Sequence, residues 1–166
     1  MSSHVNAENS RIEARLAELG LSLPEVAAPV ASYVPAMVSG NHVYTAGQLP
    51  FIAGKLPATG KVSAEGAEGT VSAEYAKELA ATSIINALAA VKSVIGNLDR
   101  VTRIVKVVGF VASTPDFTGQ PAVINGASEL LGEIFGETGQ HARSAVGVAV
   151  LPLDAPVEVE LIAEFA

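Results

Sequence analysis

HARSAVGVAVLPLDAPVEVELIAEF, residues 141–165, decides the fold, because two strand-patterned runs flank a proline-bounded turn within it. The second run alternates: Val157, Val159, Leu161, Ala163 and Phe165 share one side, and Glu158, Glu160, Ile162 and Glu164 the other. Successive side chains of a strand point to opposite faces, so one face meets a core and the acidic face, or its rim, looks away from it. The first run, predicted as a strand over residues 144–151, is apolar nearly throughout and follows a single cation, Arg143. Pro152, Asp154 and Pro156 supply the turn chemistry between the two runs.

Outward from this pair, VTRIVKVVGFVA (residues 101–112) is dense in β-branched residues and reads as a central strand. A helix over residues 121–135, bounded by Gly136, joins it to the first run of the pair. Before it, residues 72–95 place Ala76, Leu79, Ala80, Ile84, Leu88, Val91 and Ile95 at helical spacing, with Thr70 or Ser72 as cap and Gly96 beyond the end. YVPAMVSGNHVYTAGQLP, residues 33–50, has strand formers on both sides of Ser39-Gly40-Asn41 and reads as a hairpin. Residues 51–69 are a long loop with at most one short strand, residues 10–19 a short amphipathic helix capped by Ser10, and residues 21–32 an extended connector. The order β-β-α-β-α-β-β predicts an α+β fold: one mixed or antiparallel sheet with two helices packed on a single face.

The chain has 166 residues, of which 49% are hydrophobic and 16% charged, enough for one domain with more apolar surface than a monomer of this size would expose. A subunit interface is therefore expected. The formal net charge of −7 repels phosphate backbones, so nucleic acid is not expected as a partner. With no cysteine there is no disulfide, thiolate chemistry or zinc–thiolate site. No signal core or membrane-length apolar segment is read, which makes cytoplasm and no membrane the expectation.

Few residues remain that carry chemistry. His4, His42 and His141 fit no metal or triad spacing and read as surface imidazoles, so no metal is expected. GKLPATGKVS, residues 54–63, glances at a phosphate loop, but Val62 follows Gly60-Lys61 where Ser or Thr is required. Arg143 stands out at the head of an uncharged strand. A guanidinium matches a carboxylate with paired donors at any cellular pH, so it reads equally as a carboxylate clamp or as half of a structural ion pair.

The run from His141 to Phe165, with Tyr33-Val34 and Thr45-Ala46-Gly47-Gln48-Leu49-Pro50 upstream, resembles the Rid (YjgF/YER057c/UK114) family over roughly residue 32 to the C-terminus. That resemblance implies a chorismate mutase-like fold of the bacillary type and a homotrimer with a central barrel-like core. It divides the chain into an N-terminal helix-and-connector extension, residues 1–31, and a Rid-like domain, residues 32–166. It implies hydrolysis of 2-imino or 2-enamino acids to 2-keto acids and ammonia in clefts between subunits, without a cofactor. A non-catalytic protein that holds a small carboxylate metabolite in the same cleft is the alternative. Arg143 matches the arginine that grips the substrate carboxylate and Glu158 the glutamate beside the attacking water. Tyr33, Gly47, Asn125 and Ala145 match positions that line the pocket, and Asn86 a structural asparagine. Ala145 stands where the family often has cysteine, and Ala46 where it often has serine.

Overall fold

The computed structural model describes residues 10–29 and 31–166, which places His4 outside the described residues. Helix α1 spans Arg11–Glu18, and strands β1, Ala36–Ser39, and β2, His42–Thr45, form the hairpin. Two-residue strands β3, Val62–Ser63, and β4, Val71–Ser72, pair in parallel and lead into α2, Ala73–Ile95. Then come β5, Val101–Ala112, α3, Gln120–Phe135, β6, Ala142–Val148, and β7, Val157–Phe165.

The five-stranded sheet runs β1-β2-β7-β5-β6, with β5 and β6 parallel and the other neighbours antiparallel. The alternation in the last strand is borne out. Val157, Val159, Leu161 and Ala163 are fully or almost fully buried, while Glu158, Glu160, Ile162 and Glu164 are half-buried on the other face. Strand β6 begins and ends earlier than its apolar run suggests. Among the described residues its one partner is β5, which ends at Ala112 opposite Val148, so beyond Val148 no ladder remains to hold an extended chain.

Helices α2 and α3 pack together on the same face. Ser72 caps α2, its hydroxyl accepting from the Tyr75 amide, and Leu79, Ile84, Leu88, Val91 and Ile95 are buried in the core it shares with the sheet and α3. Each such burial contributes roughly 1.5–3 kcal/mol. By length and composition α2 would suit a membrane span, but 61% of its most apolar window is buried inside this domain. Gly126 of α3 sits against the Lys77 carbonyl of α2, leaving no room for a Cβ, so the helices meet backbone to backbone.

The N-terminal segment is fastened to this body. Asp99 accepts from the Ser10 hydroxyl (2.9 Å) and from the Arg11 and Ile12 amides (both 2.8 Å), while Ser10 accepts from Glu13 N. Lys92 on α2 pairs with Glu13 at 2.7 Å, and the Arg15 guanidinium donates to the Glu133 carbonyl. Ile12 and Leu16 are buried, and Leu21, Leu23 and Val26 of the connector pack against the core.

Among the described residues the opposite face of the sheet has no covering layer. Met37 (58% exposed), Tyr44 (45%) and Val146 (45%) project there, beside the half-buried Val108, Phe110 and Ile162. An apolar strip of this kind marks an interaction surface.

Candidate functional site

Register separates the two residues expected to carry the chemistry. Arg143 pairs with Val107, which faces the helices, whereas Glu158 pairs with Phe110, which faces the open side. The expected site residues accordingly fall into two groups on opposite faces of the sheet.

The first group lies between β6 and α3. The Arg143 Nη1 donates to Asn125 Oδ1 at 2.7 Å and to Ser128 Oγ at 3.2 Å, and its Nη2 donates to the Pro121 carbonyl at 3.2 Å. All three acceptors are neutral. No described carboxylate pairs with Arg143, so the structural ion pair left open by the sequence is not made. Three of the five guanidinium donors are engaged by described residues, which leaves Nε–H and one Nη2–H without a described partner. Ala145 lies on the same face as Arg143, paired with Gly109 and packed on the core.

His141 belongs to this group, contrary to its reading as a surface imidazole. Its Nδ1 lies 2.6 Å from the Gly139 carbonyl and its Nε2 lies 2.8 Å from Ser128 Oγ. A carbonyl only accepts, so Nδ1 carries a hydrogen, and in the neutral ring Nε2 then accepts from the Ser128 hydroxyl, whose oxygen keeps lone pairs for Arg143. Sequence spacing gave no signal for this chain of bonds, because His141 and Ser128 sit on different elements.

The second group lines a cavity of about 430 Å³, with Tyr33, Gly47 and Glu158 in its wall. Gly47 is where the backbone passes the Glu158 carboxylate: a Cβ there would collide with Oε1 and come within 2.8 Å of Cδ. Burial pushes the Glu158 carboxyl above its ordinary value, and the neighbouring charge of Glu160 pushes it in the same direction. Asn86, half a helix away, donates to the carbonyls of Leu49 (3.0 Å) and Phe51 (3.1 Å) and so fixes the loop that forms the cavity rim. Among the described residues no three His, Asp or Glu side chains converge as metal ligands would.

Together these features define a mixed-sheet α+β protein of chorismate mutase-like architecture, with the Arg143 cluster and the cavity at Glu158 on opposite faces of the sheet. The chain belongs to the YjgF (Rid) family: the family described as "YjgF/chorismate mutase-like, putative endoribonuclease" matches residues 13–165. It is 42% identical over 158 residues to "Protein TCP17" of Trypanosoma cruzi, covering 94% of this chain and 95% of that protein. Among solved structures, the "protein Atu1372 with unknown function" from Agrobacterium tumefaciens is 46% identical with a TM-score of 0.84, covering 93% of this chain and 92% of that one. A "putative endoribonuclease" from Shewanella oneidensis is 35% identical with a TM-score of 0.87, covering 95% of this chain and all of the other.

Proposed function

We propose that this protein is an imine or enamine deaminase that converts 2-imino acids to 2-keto acids and ammonia, working as a homotrimer with its sites in the clefts between subunits. The observation that carries the reading is the Arg143 guanidinium, held in place by neutral acceptors only and with two donors to spare for a carboxylate. Glu158 is the complementary observation, a carboxyl whose pKa burial raises, which makes its carboxylate a better proton acceptor.

The chemistry needs little more. An imine carbon is already electrophilic; Arg143 fixes the substrate by its carboxylate and so sets the distance of that carbon from a water at Glu158. The Glu158 carboxylate takes a proton as the water adds to the carbon of the protonated imine, C=NH2+, giving a neutral carbinolamine. Glu158 returns that proton to the nitrogen, the C–N bond breaks as the hydroxyl gives its own proton to Glu158, ammonia leaves and carries that last proton away as ammonium, and the carbonyl of the 2-keto acid remains. No cofactor enters this scheme. Arg143 and Glu158 of one chain face apart, which supports an assembly in which a second subunit brings the complementary half to each site. The exposed apolar strip on the open face suits such an assembly. A net charge of −7 weighs against an RNA substrate, and cytoplasm remains our assignment of place.

The absence of a polar side chain at Ala46 and Ala145 favours a second reading, in which the cleft binds a carboxylate metabolite without turning it over. One experiment separates them. An amino-acid oxidase generates 2-imino acids, semicarbazide traps them, and a deaminase lowers the semicarbazone yield while Arg143→Ala does not. Unchanged yield together with calorimetric binding of 2-keto acids would establish the binder.

A further inference from the structure

We infer that the cavity beside Glu158 is a receptor for an apolar substrate side chain of leucine or phenylalanine size, and that the N-terminal segment builds its selective wall. The inference rests on the deaminase reading for the location of the reacting carbon.

The cavity's about 430 Å³ lies within the roughly 300–1,000 Å³ range of small-molecule sites. A methyl group would leave most of it to water. Its chemistry is one-sided: Glu158 supplies the charge, whereas Ala27, Ala28, Pro29, Pro35 and Phe51 supply apolar surface. No described basic side chain of this chain lines it, and the arginine that a second subunit brings is taken up by the substrate's own carboxylate, so an acidic substrate side chain would be repelled by Glu158. A basic one would have to shed its hydration against alanine and proline.

Three of these wall residues, Ala27, Ala28 and Pro29, come from the connector that follows α1. The connector is not a loose tail. Asp99 holds the first turn of α1, Lys92 holds Glu13, and Leu23 and Val26 pack on the core immediately ahead of the wall. The anchors thus fix where the wall stands, and a segment outside the β-β-α-β-α-β-β core contributes to choosing the substrate. The reacting carbon sits beside Glu158, so whatever hangs from it is directed into this space.

The test is a series of imines generated from alanine, leucine, phenylalanine and glutamate, read by semicarbazide trapping. The expected order puts leucine and phenylalanine imines above alanine imine by on the order of tenfold in kcat/KM, with glutamate imine lowest. Ala28→Trp, which fills the cavity from an exposed position on its wall, lowers the leucine-to-alanine ratio by about tenfold. A flat or inverted order across side chains overturns the inference, and so does an Ala28→Trp protein with an unchanged ratio. The same series of 2-keto acids, read by calorimetry, separates the two readings. Affinities ordered by apolar side chain with no acceleration of any imine keep the inference and overturn the deaminase, while neither binding nor acceleration overturns both.

Discussion

Arg143 and Glu158 lie on opposite faces of one sheet, on strands β6 and β7 that flank β5, paired with Val107 and Phe110 respectively. Two strand spacings, roughly 10 Å, and the thickness of the sheet therefore separate their side chains. No small imino acid spans that gap. If both act on one substrate, each site takes its arginine from one subunit and its glutamate from another.

This gives a complementation test. Arg143→Ala and Glu158→Gln should each be inactive alone. Co-refolded in equal amounts, they should recover about a quarter of wild-type activity, since a site between two randomly drawn subunits is intact about one time in four. Steady-state assay of the mixture checks this, with size-exclusion chromatography to show that the variants assemble. No recovery from properly mixed oligomers would place the whole site within one chain.

Gly47 gives a second test. An added Cβ would occupy the position of the Glu158 carboxylate, and that carboxylate, at the end of a flexible side chain, can swing aside more cheaply than the backbone can move. Gly47→Ala should therefore leave thermal stability within a few degrees of wild type while lowering kcat by about a hundredfold, the cost of misplacing a reacting group by about 1 Å. Calorimetric affinity for 2-keto acids, set largely by Arg143, should fall much less.

The bonds from Gly139 through His141 and Ser128 to Arg143 predict an effect on carboxylate recognition. Ser128→Ala removes one acceptor from Nη1 and releases the guanidinium from part of its setting. The affinity for 2-keto acids should drop on the order of tenfold, as expected for losing a hydrogen bond to a charged group. Ser128→Thr restores the hydroxyl and should recover most of it, whereas a purely structural role would show the same loss of Tm in both variants and no change in carboxylate affinity.

What the sequence made legible was local. The alternation from Val157 to Phe165, the helical spacing from Ala76 to Ile95 and the caps at Ser10 and Ser72 all report on neighbours a few residues away, and the structure has them so. The place of β7 between β2 and β5 is set by pairing with partners 46 or more residues distant, which no local pattern encodes. The opposed faces of Arg143 and Glu158 follow from the register of both strands against β5, a relation that exists only once the sheet is assembled. His141 escaped notice for a similar reason: its partner Ser128 lies 13 residues away on a helix, and only the parallel β5-α3-β6 crossover brings the two together.

Asp99 makes the attachment of α1 dependent on acid. Burial opposes its charge, but hydrogen bonds from Ile12 N, Arg11 N and the Ser10 hydroxyl, with the nearby Arg11 charge, outweigh that and hold its carboxyl below the ordinary value. A depressed folded-state pKa contributes stability that is present above the unfolded value of 3.8 and is lost as pH falls through the folded one. Asp99→Ala should cost about 0.5–2 kcal/mol at pH 7, as loss of a helix cap does. The Tm difference from wild type should narrow as pH falls below about 4, and a difference that widened in acid would contradict the assignment.

Glu160 offers the last test, because it acts on Glu158 through charge alone. Burial is the larger cause of the raised Glu158 carboxyl, and the Glu160 charge adds to it; Glu160 is itself raised by burial. Glu160→Gln removes that charge without removing the burial, so the Glu158 pKa should fall part of the way toward 4.5 while staying above it. If Glu158 takes the proton of the attacking water, its ionised form is the active one, and the acid limb of the kcat profile should move to lower pH in the variant. Stability should respond in a matching direction. Both carboxyls are raised in the folded state, so what they contribute is fully present below 4.5 and is lost as pH rises through their folded values. Glu160→Gln should then gain in Tm over wild type more at pH 7 than at pH 4. An acid limb that stays in place while this stability difference appears would mean that Glu158 is not the group that takes the proton.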